Sequence, residues 1–327
     1  MAATDVDAPV VRRPVAGAVA ALVGVVMWGS FSVLARKAGD LDGLGLAFHR
    51  MWMGALAAVI ALRISGTRIT WRIVVASAPG GVLFALDVAL FFTALKTTTI
   101  ANANIISSLQ PVLIALVVGK LFAEKLDGWF FVWSALALVG VVAVLTGSAA
   151  SNADTHTYHG DLLALLATCS WAAFFVASKQ ARKTLTSLEY LAGLLVVAWV
   201  VITPVALLSG TTLAVDDGGT WLIVALIALV SGGLGHWLMN WAHGHIPLAT
   251  ASLLTLVIPV AAVATSALVL DEAITLQQVL GIAVVLFALA MVIVRSPVTA
   301  GEGLEPVADA VAVDDGDHSP PRRREDP

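Results

Sequence analysis

The sequence predicts an all-α polytopic membrane protein: ten transmembrane helices arranged as two inverted five-helix repeats. Three observations predict it. The chain of 327 residues is 59% hydrophobic and only 12% charged, far more apolar than a water-soluble domain. Apolar runs of about 20 residues, the length that crosses a bilayer core, recur along it. One stretch also occurs twice: FFTALKTTTIANANIISSLQPVLIALVVGKLFAEKL at 91–126 is matched by MNWAHGHIPLATASLLTLVIPVAAVATSALVLDEAI at 239–274. Ala94, Pro111 and Glu124 in the first copy correspond to Ala242, Pro259 and Glu272 in the second, each 148 residues further on. A lone proline in an apolar helix carries little information, but the same three residues at the same spacing mark a duplicated unit. The apolar runs are continuous rather than alternating, which disfavours a β-barrel.

The runs fall near 14–35, 43–62, 73–95, 99–119, 128–147, 160–179, 188–208, 220–242, 248–269 and 274–295. Basic residues in the connections set their direction, because Lys and Arg concentrate on the cytoplasmic side. With the N-terminus inside, the inside receives Arg12, Arg13, Arg63, Arg68, Arg72, Lys120, Lys125, Lys179, Arg182, Lys183 and Arg295. The outside receives Arg36, Lys37 and Lys96, and the outside loops 148–159 and 209–219 hold no Lys or Arg. Both termini are thus expected in the cytoplasm, with Arg36 and Lys37 running against the rule. Five spans per repeat is an odd number, so 14–147 and 160–295 enter the membrane from opposite sides. The repeat is inverted, about an axis in the membrane plane.

The rest of the composition narrows the class further. Net charge is −4, which gives no footprint for nucleic acid. The single cysteine, Cys169, lies in an apolar run and excludes both an intrachain disulfide and a cysteine metal site. Residues 1–13 lack the apolar core of a signal peptide, and 296–327, rich in Pro and Asp, read as a disordered cytoplasmic tail. The fronts of the two halves also correspond: MWGSFSVLARK (27–37) parallels SWAAFFVASKQ (170–180), with Trp28 and Trp171 143 residues apart. The rise from 143 to 148 implies about five additional residues in the second half, which exposed loops accept most easily, so the 209–219 loop is their expected place.

This pattern resembles the EamA-like family of the drug/metabolite transporter superfamily. The resemblance is carried by Trp28-Gly29, the FxxALKTTTIANA segment, Pro111 with Glu124, Gly160-Asp161-Leu162-Leu163-Ala164 before Ser170-Trp171-Ala172, and Pro259 with Glu272, and it covers about 14–295. It implies ten-helix carriers that export or exchange small metabolites across the bacterial inner membrane, with no prosthetic group. The halves have diverged: Trp133 stands opposite Gly281 and Arg50 opposite Gly193, so site residues do not transfer between them.

An ionisable side chain in a span costs about 2.5–3.5 kcal/mol on insertion scales and needs a partner or a watery cavity. Asp87 is the deep carboxylate, read as a proton-coupling or substrate-ammonium site, or else as an acceptor serving a neighbouring helix. His236, Asn240 and His243 follow at i, i+4 and i+7 on one face. His236 and Asn240 are deep enough to line a pathway, and a metal site from His236, His243 and His245 is the alternative. His49 and Arg50 open the second span about 100° apart, and Arg50 either lines the path or snorkels to the interface. Asn104 is the best candidate for a polar wall among Asn102, Ser107, Ser108 and Gln110. Trp28, Trp171, Trp237 and Trp241 are candidate apolar walls. Pro111 and Pro259 interrupt matched helices where bending would serve gating, and Glu124 and Glu272 end theirs as structural or gating groups.

A secondary carrier accounts for these features best. Two similar bundles facing opposite ways permit alternating access to a small molecule. The absence of a P-loop leaves a proton gradient or the solute's own gradient as the energy source. An uptake carrier of the same fold is one alternative. An intramembrane enzyme is the other, although HExxH and GxSxG do not occur in the chain.

Overall fold

The computed structural model describes residues 13–38, 41–98, 100–147, 157–215 and 217–295. The expected N-terminal segment, most of the 148–159 loop and the tail from 296 lie outside the described residues. Among the described residues ten helices are long and apolar enough to cross a membrane, and there is no strand. They are α1 (Pro14–Leu34), α2 (Gly43–Ile64), α3 (Trp71–Ala94), α4 (Ile100–Ser107 and Gln110–Phe122), α5 (Gly128–Thr146), α6 (Tyr158–Ala181), α7 (Ser187–Leu208), α8 (Gly218–Ala242), α9 (Leu248–Leu254 and Val257–Val269) and α10 (Leu276–Arg295).

The sequence starts and stops these helices by local chemistry. Asp42, Thr70, Asp127, Thr157 and Asp217 each accept a backbone N–H of the first turn of the helix that follows. Thr186 and Glu189 close a reciprocal capping box on α7, so donors that a helix start leaves bare are satisfied. The helices α2 and α7 both end in Ser-Gly, and Gly66 and Gly210 take positive φ, +84° and +70°, a turn that glycine makes without steric cost. α4 and α9 are each broken after their first turns, just before Pro111 and Pro259, because proline supplies no N–H and crowds the preceding turn. The two breaks fall within one residue of each other in the repeat register.

The packing keeps its form when the halves are exchanged. α3 lies on α6 and α7, and its mate α8 lies on α1 and α2; α1 lies on α9, and α6 on α4. Two spans, α2 and α5, pack on their own mates, α7 and α10. Side chains such as Leu116, Val139, Leu207 and Leu222 remain exposed around the outside, as a lipid-facing surface requires. Bonds gather the connections at two ends. At one, Asp42 meets Thr211 and Lys96, Thr98 meets Asp161, and Thr275 meets Gly147. At the other, Glu124 meets Lys179 and Leu248, and Arg72 meets Thr184. These are called the Asp42 end and the Glu124 end.

The five additional residues are not all in the 209–219 loop. α2 and α7 start and finish 144 apart (43 and 187, 64 and 208), the starts of α3 and α8 are 147 apart (71 and 218), and their ends are 148 apart (94 and 242). One residue therefore precedes α7, three lie between α7 and α8, and one lies inside α8. There the helix widens to π geometry over Ile227–Gly235, which absorbs an added residue without ending the helix.

Candidate functional site

A cavity of about 610 Å³ opens into the bundle from the Asp42 end, within the size range of small-molecule sites. Its mouth reaches the exposed residues Glu272, Ala273 and Ile274, and its floor lies among Trp28, Phe84, Trp171 and His236.

The floor is built by repeat mates. Trp28 of α1 and Trp171 of α6 meet edge to face with ring centroids 5.5 Å apart, so the two halves join at this point. Phe84 stacks on Phe174 at 5.2 Å and tilts against His236 at 4.9 Å. The π segment aims this cluster. It leaves the Ser231 carbonyl to accept the Trp28 indole N–H at 3.1 Å, and the same N–H lies 3.1 Å from His236 Nδ1. His236 Nδ1 also lies 3.2 Å from the Ser231 carbonyl, so Trp28, Ser231 and Nδ1 form one closed set of contacts. Among the described residues Nε2 has no partner, and it is the ring atom left for hydrogen bonding at the cavity floor.

Charge enters from two helices. Arg50 of α2 and Asp87 of α3 both line the cavity and lie within electrostatic reach of one another, and Arg50 also acts on His236. Among the described residues no hydrogen bond or contact ion pair joins Arg50 to Asp87. The guanidinium sits 5.5 Å from the Phe84 ring, a cation–π distance. Gly232 in the π segment gives it room, since a Cβ there would stand 3.1 Å from Arg50 Cγ. Arg50 therefore points into the bundle rather than to the interface.

Gln110, at the break in α4, completes the polar wall. Gln110 Oε1 lies 3.0 Å from the Thr255 hydroxyl, which is also 2.6 Å from the Ser252 carbonyl. Among the described residues Gln110 Nε2 has no partner, so the carboxamide brings an unused hydrogen-bonding group to the cavity. Asn104, Ser107 and Ser108 line the same side.

The other expected site residues are placed elsewhere. His49 binds the Leu213 carbonyl at 2.9 Å and receives the Trp52 indole N–H at 3.0 Å, so it ties α2 to the 209–215 connection. Asn240 and His243 are buried below the cavity, toward the Glu124 end. Trp237 packs against the core outside the cavity, and Trp241 stacks on His245 at 3.8 Å. Pro259 lines the cavity and Pro111 is buried behind Gln110. Among the described residues no group of three or more His, Cys, Asp or Glu is placed to hold a metal. Sequence reasoning passed over Gln110 as a chosen site and counted Lys179 and Arg182 only among the basic residues of the inside. Both cations are buried; the signal was available, since Lys179 is the repeat mate of Arg36 and both halves thus carry a cation there.

Comparison with known proteins agrees with the duplication. The model of the EamA-like transporter family matches residues 15–146 and again 159–294. An uncharacterized transporter of Archaeoglobus fulgidus is 25% identical over 271 residues, covering 83% of this chain and 93% of the relative. The uncharacterized transporter YetK of Bacillus subtilis is 24% identical over 216 residues, 65% of each chain. A protein of known crystal structure shares the fold, with a TM-score of 0.71 at 20% identity over 84% of this chain and 96% of that one. Two family matches, ten apolar helices and relatives named as transporters lead to one conclusion: the chain belongs to the EamA-like transporter family and is a multi-pass membrane transporter.

Proposed function

We propose that the chain is a secondary transporter that exports or exchanges small zwitterionic metabolites, such as amino acids or related amphiphilic solutes, across the bacterial inner membrane by alternating access. The observation that carries this reading is the placement of Arg50 and Asp87 on one cavity without a bond between them. Opposite charges that are near but unjoined offer one site for a carboxylate and one for an ammonium, and a solute bearing both bridges them. His236 Nε2 and the Gln110 carboxamide add hydrogen-bonding groups, and the floor rings accept an apolar group. A proton on Asp87 alters the charge of the cavity, and any ligand that prefers one conformer shifts the balance between them.

The orientation rests on the basic residues of the connections, which put the Glu124 end and both termini in the cytoplasm. The conformation described above is then open to the outside.

The test is counterflow. Purified protein in liposomes preloaded with unlabelled amino acids should accumulate labelled ones from outside. Asp87→Asn should abolish accumulation while inserting and unfolding like the native chain, and His236→Ala should shift its pH dependence. Native-like counterflow by Asp87→Asn between about pH 5.5 and 8.5 would overturn the assignment of Asp87.

A further inference from the structure

Below the cavity, toward the Glu124 end, a second polar cluster is sealed into the bundle. Lys179 lies in the last turn of α6 and Arg182 directly follows that helix; Asn240 lies in the last turn of α8, and His243 follows directly. Each is at most 5% exposed. Glu124 reaches in from the turn after α4, its carboxylate 2.8 Å from Lys179 Nζ and accepting the backbone N–H groups of Leu248 and Ala249 at 2.7 and 3.1 Å. Arg182 Nε donates to the Asn240 carbonyl at 3.1 Å. The His243 ring packs on Phe175 with centroids 5.0 Å apart and lies within electrostatic reach of both Lys179 and Arg182.

Among the described residues three polar atoms in this cluster have no partner: Asn240 Nδ2 and both ring nitrogens of His243. Buried polar groups are ordinarily satisfied, and those that are not point to a ligand or a change of state. These three sit beside two fixed cations and beside a place that already holds a carboxylate. We propose that Lys179, Arg182, Asn240 and His243 form a second solute-binding station, specific for a carboxylate, that is exposed when the Glu124 end opens.

The chemistry is an exchange of carboxylates. While the end is closed, Glu124 occupies Lys179. Opening draws Glu124 away and would leave Lys179 a buried cation without its counter-ion, which is strongly unfavourable. A solute carboxylate arriving at Lys179 takes over that role, with the Asn240 amide and the His243 ring as additional hydrogen-bonding groups. Loading of the station therefore favours the open state. His236, Asn240 and His243 share one helix face over seven residues, about 10 Å at 1.5 Å per residue, so the station lies one solute length from the floor of the upper cavity. The proposal rests on the transport reading, since only alternating access exposes both stations.

Its test does not use transport. In detergent, Glu124→Ala removes the resident carboxylate, and sodium acetate should restore the melting temperature while sodium chloride at equal ionic strength does not. Asn240→Leu and His243→Leu in that background should each weaken the acetate effect severalfold, and Lys179→Ala should remove it. No advantage of acetate over chloride, or an acetate effect indifferent to Asn240 and His243, overturns the proposal. If Glu124→Ala does not fold, a single cysteine at His243 in Cys169→Ser protein decides. From the Glu124 side, an anionic sulfonate thiol reagent should modify it several times faster than a trimethylammonium one, and acetate should slow the reaction. Equal rates, a faster cation, or no modification by either reagent overturns it. Neither readout requires turnover, so their failure is distinct from failure of counterflow.

Discussion

The two ends of the bundle carry glutamates from the same position of the repeat, and the structure buries one and exposes the other. At the Glu124 end the carboxylate is buried, paired with Lys179 and bound to two amides at the start of α9. At the Asp42 end its mate Glu272 is exposed at the mouth of the cavity. The backbone does not distinguish them: Ala123 and Asp271, the residues before the two glutamates, both take the left-handed conformation, with φ 51° and 54°. That conformation is costly for a residue with a side chain, and its occurrence at both mates shows that the turn presenting the glutamate belongs to the repeat itself. Closure is therefore a property of how the halves meet, not of either local sequence.

The comparison breaks most readily at the glutamates. Glu124→Gln leaves Lys179 buried without its counter-ion and should destabilise the protein by about 3–5 kcal/mol, whereas Glu272→Gln, at an exposed carboxylate, should cost under about 1 kcal/mol. Thermal unfolding in detergent measures both, and equal shifts would show that the ends do not differ in closure.

The tryptophan mates give a smaller contrast. Trp28→Phe removes the N–H that serves Ser231 and His236 and should cost about 1–2 kcal/mol beyond its change in packing. Trp171, whose indole N–H makes no such bond among the described residues, should lose less on the same replacement. Denaturant unfolding of the two single variants decides, and equal losses would mean that the bond to the π segment carries no weight.

The left-handed turns provide the converse case. Ala123→Gly and Asp271→Gly each relieve the same backbone conformation and should each stabilise the folded state, by about 1 kcal/mol. A gain at one end only would show that the two turns are strained differently.

The smallest effect concerns pH at the Asp42 end. Partial burial opposes ionisation of Asp42, but the Thr211 hydroxyl, the Gly45 amide and Lys96 outweigh it, and the carboxyl lies below its usual range. A lowered folded value means that stabilisation is complete above the ordinary carboxyl range, near pH 4, and is lost as pH falls through the folded value. The side chain is 36% exposed, so solvent screening keeps the contribution below about 1 kcal/mol. Melting temperatures of the native chain and Asp42→Asn should converge as pH falls below about 4, and a gap that widens on acidification would reverse the sign.

By itself the sequence determined the class, the number of spans and the register of the duplication. Crossing a bilayer takes a fixed length of apolar residues, and a repeat survives in spacing even where side chains have changed. It also marked Asp87, because a carboxylate in an apolar run is conspicuous without any knowledge of its neighbours. It did not determine that Arg50 shares a cavity with Asp87, since an arginine seven residues past the start of α2 can reach either the interface or the interior, and only the close approach of Gly232 on another helix settles which. Nor did it show that His49 and Asn240 leave the cavity while Gln110 enters it, or that Lys179 is buried. Those facts depend on the azimuth of each helix, which a single π turn in α8 is enough to alter, and on contacts between residues up to about two hundred positions apart. Length and composition act locally and are read along the chain, whereas a site that binds from several helices at once exists only after they pack.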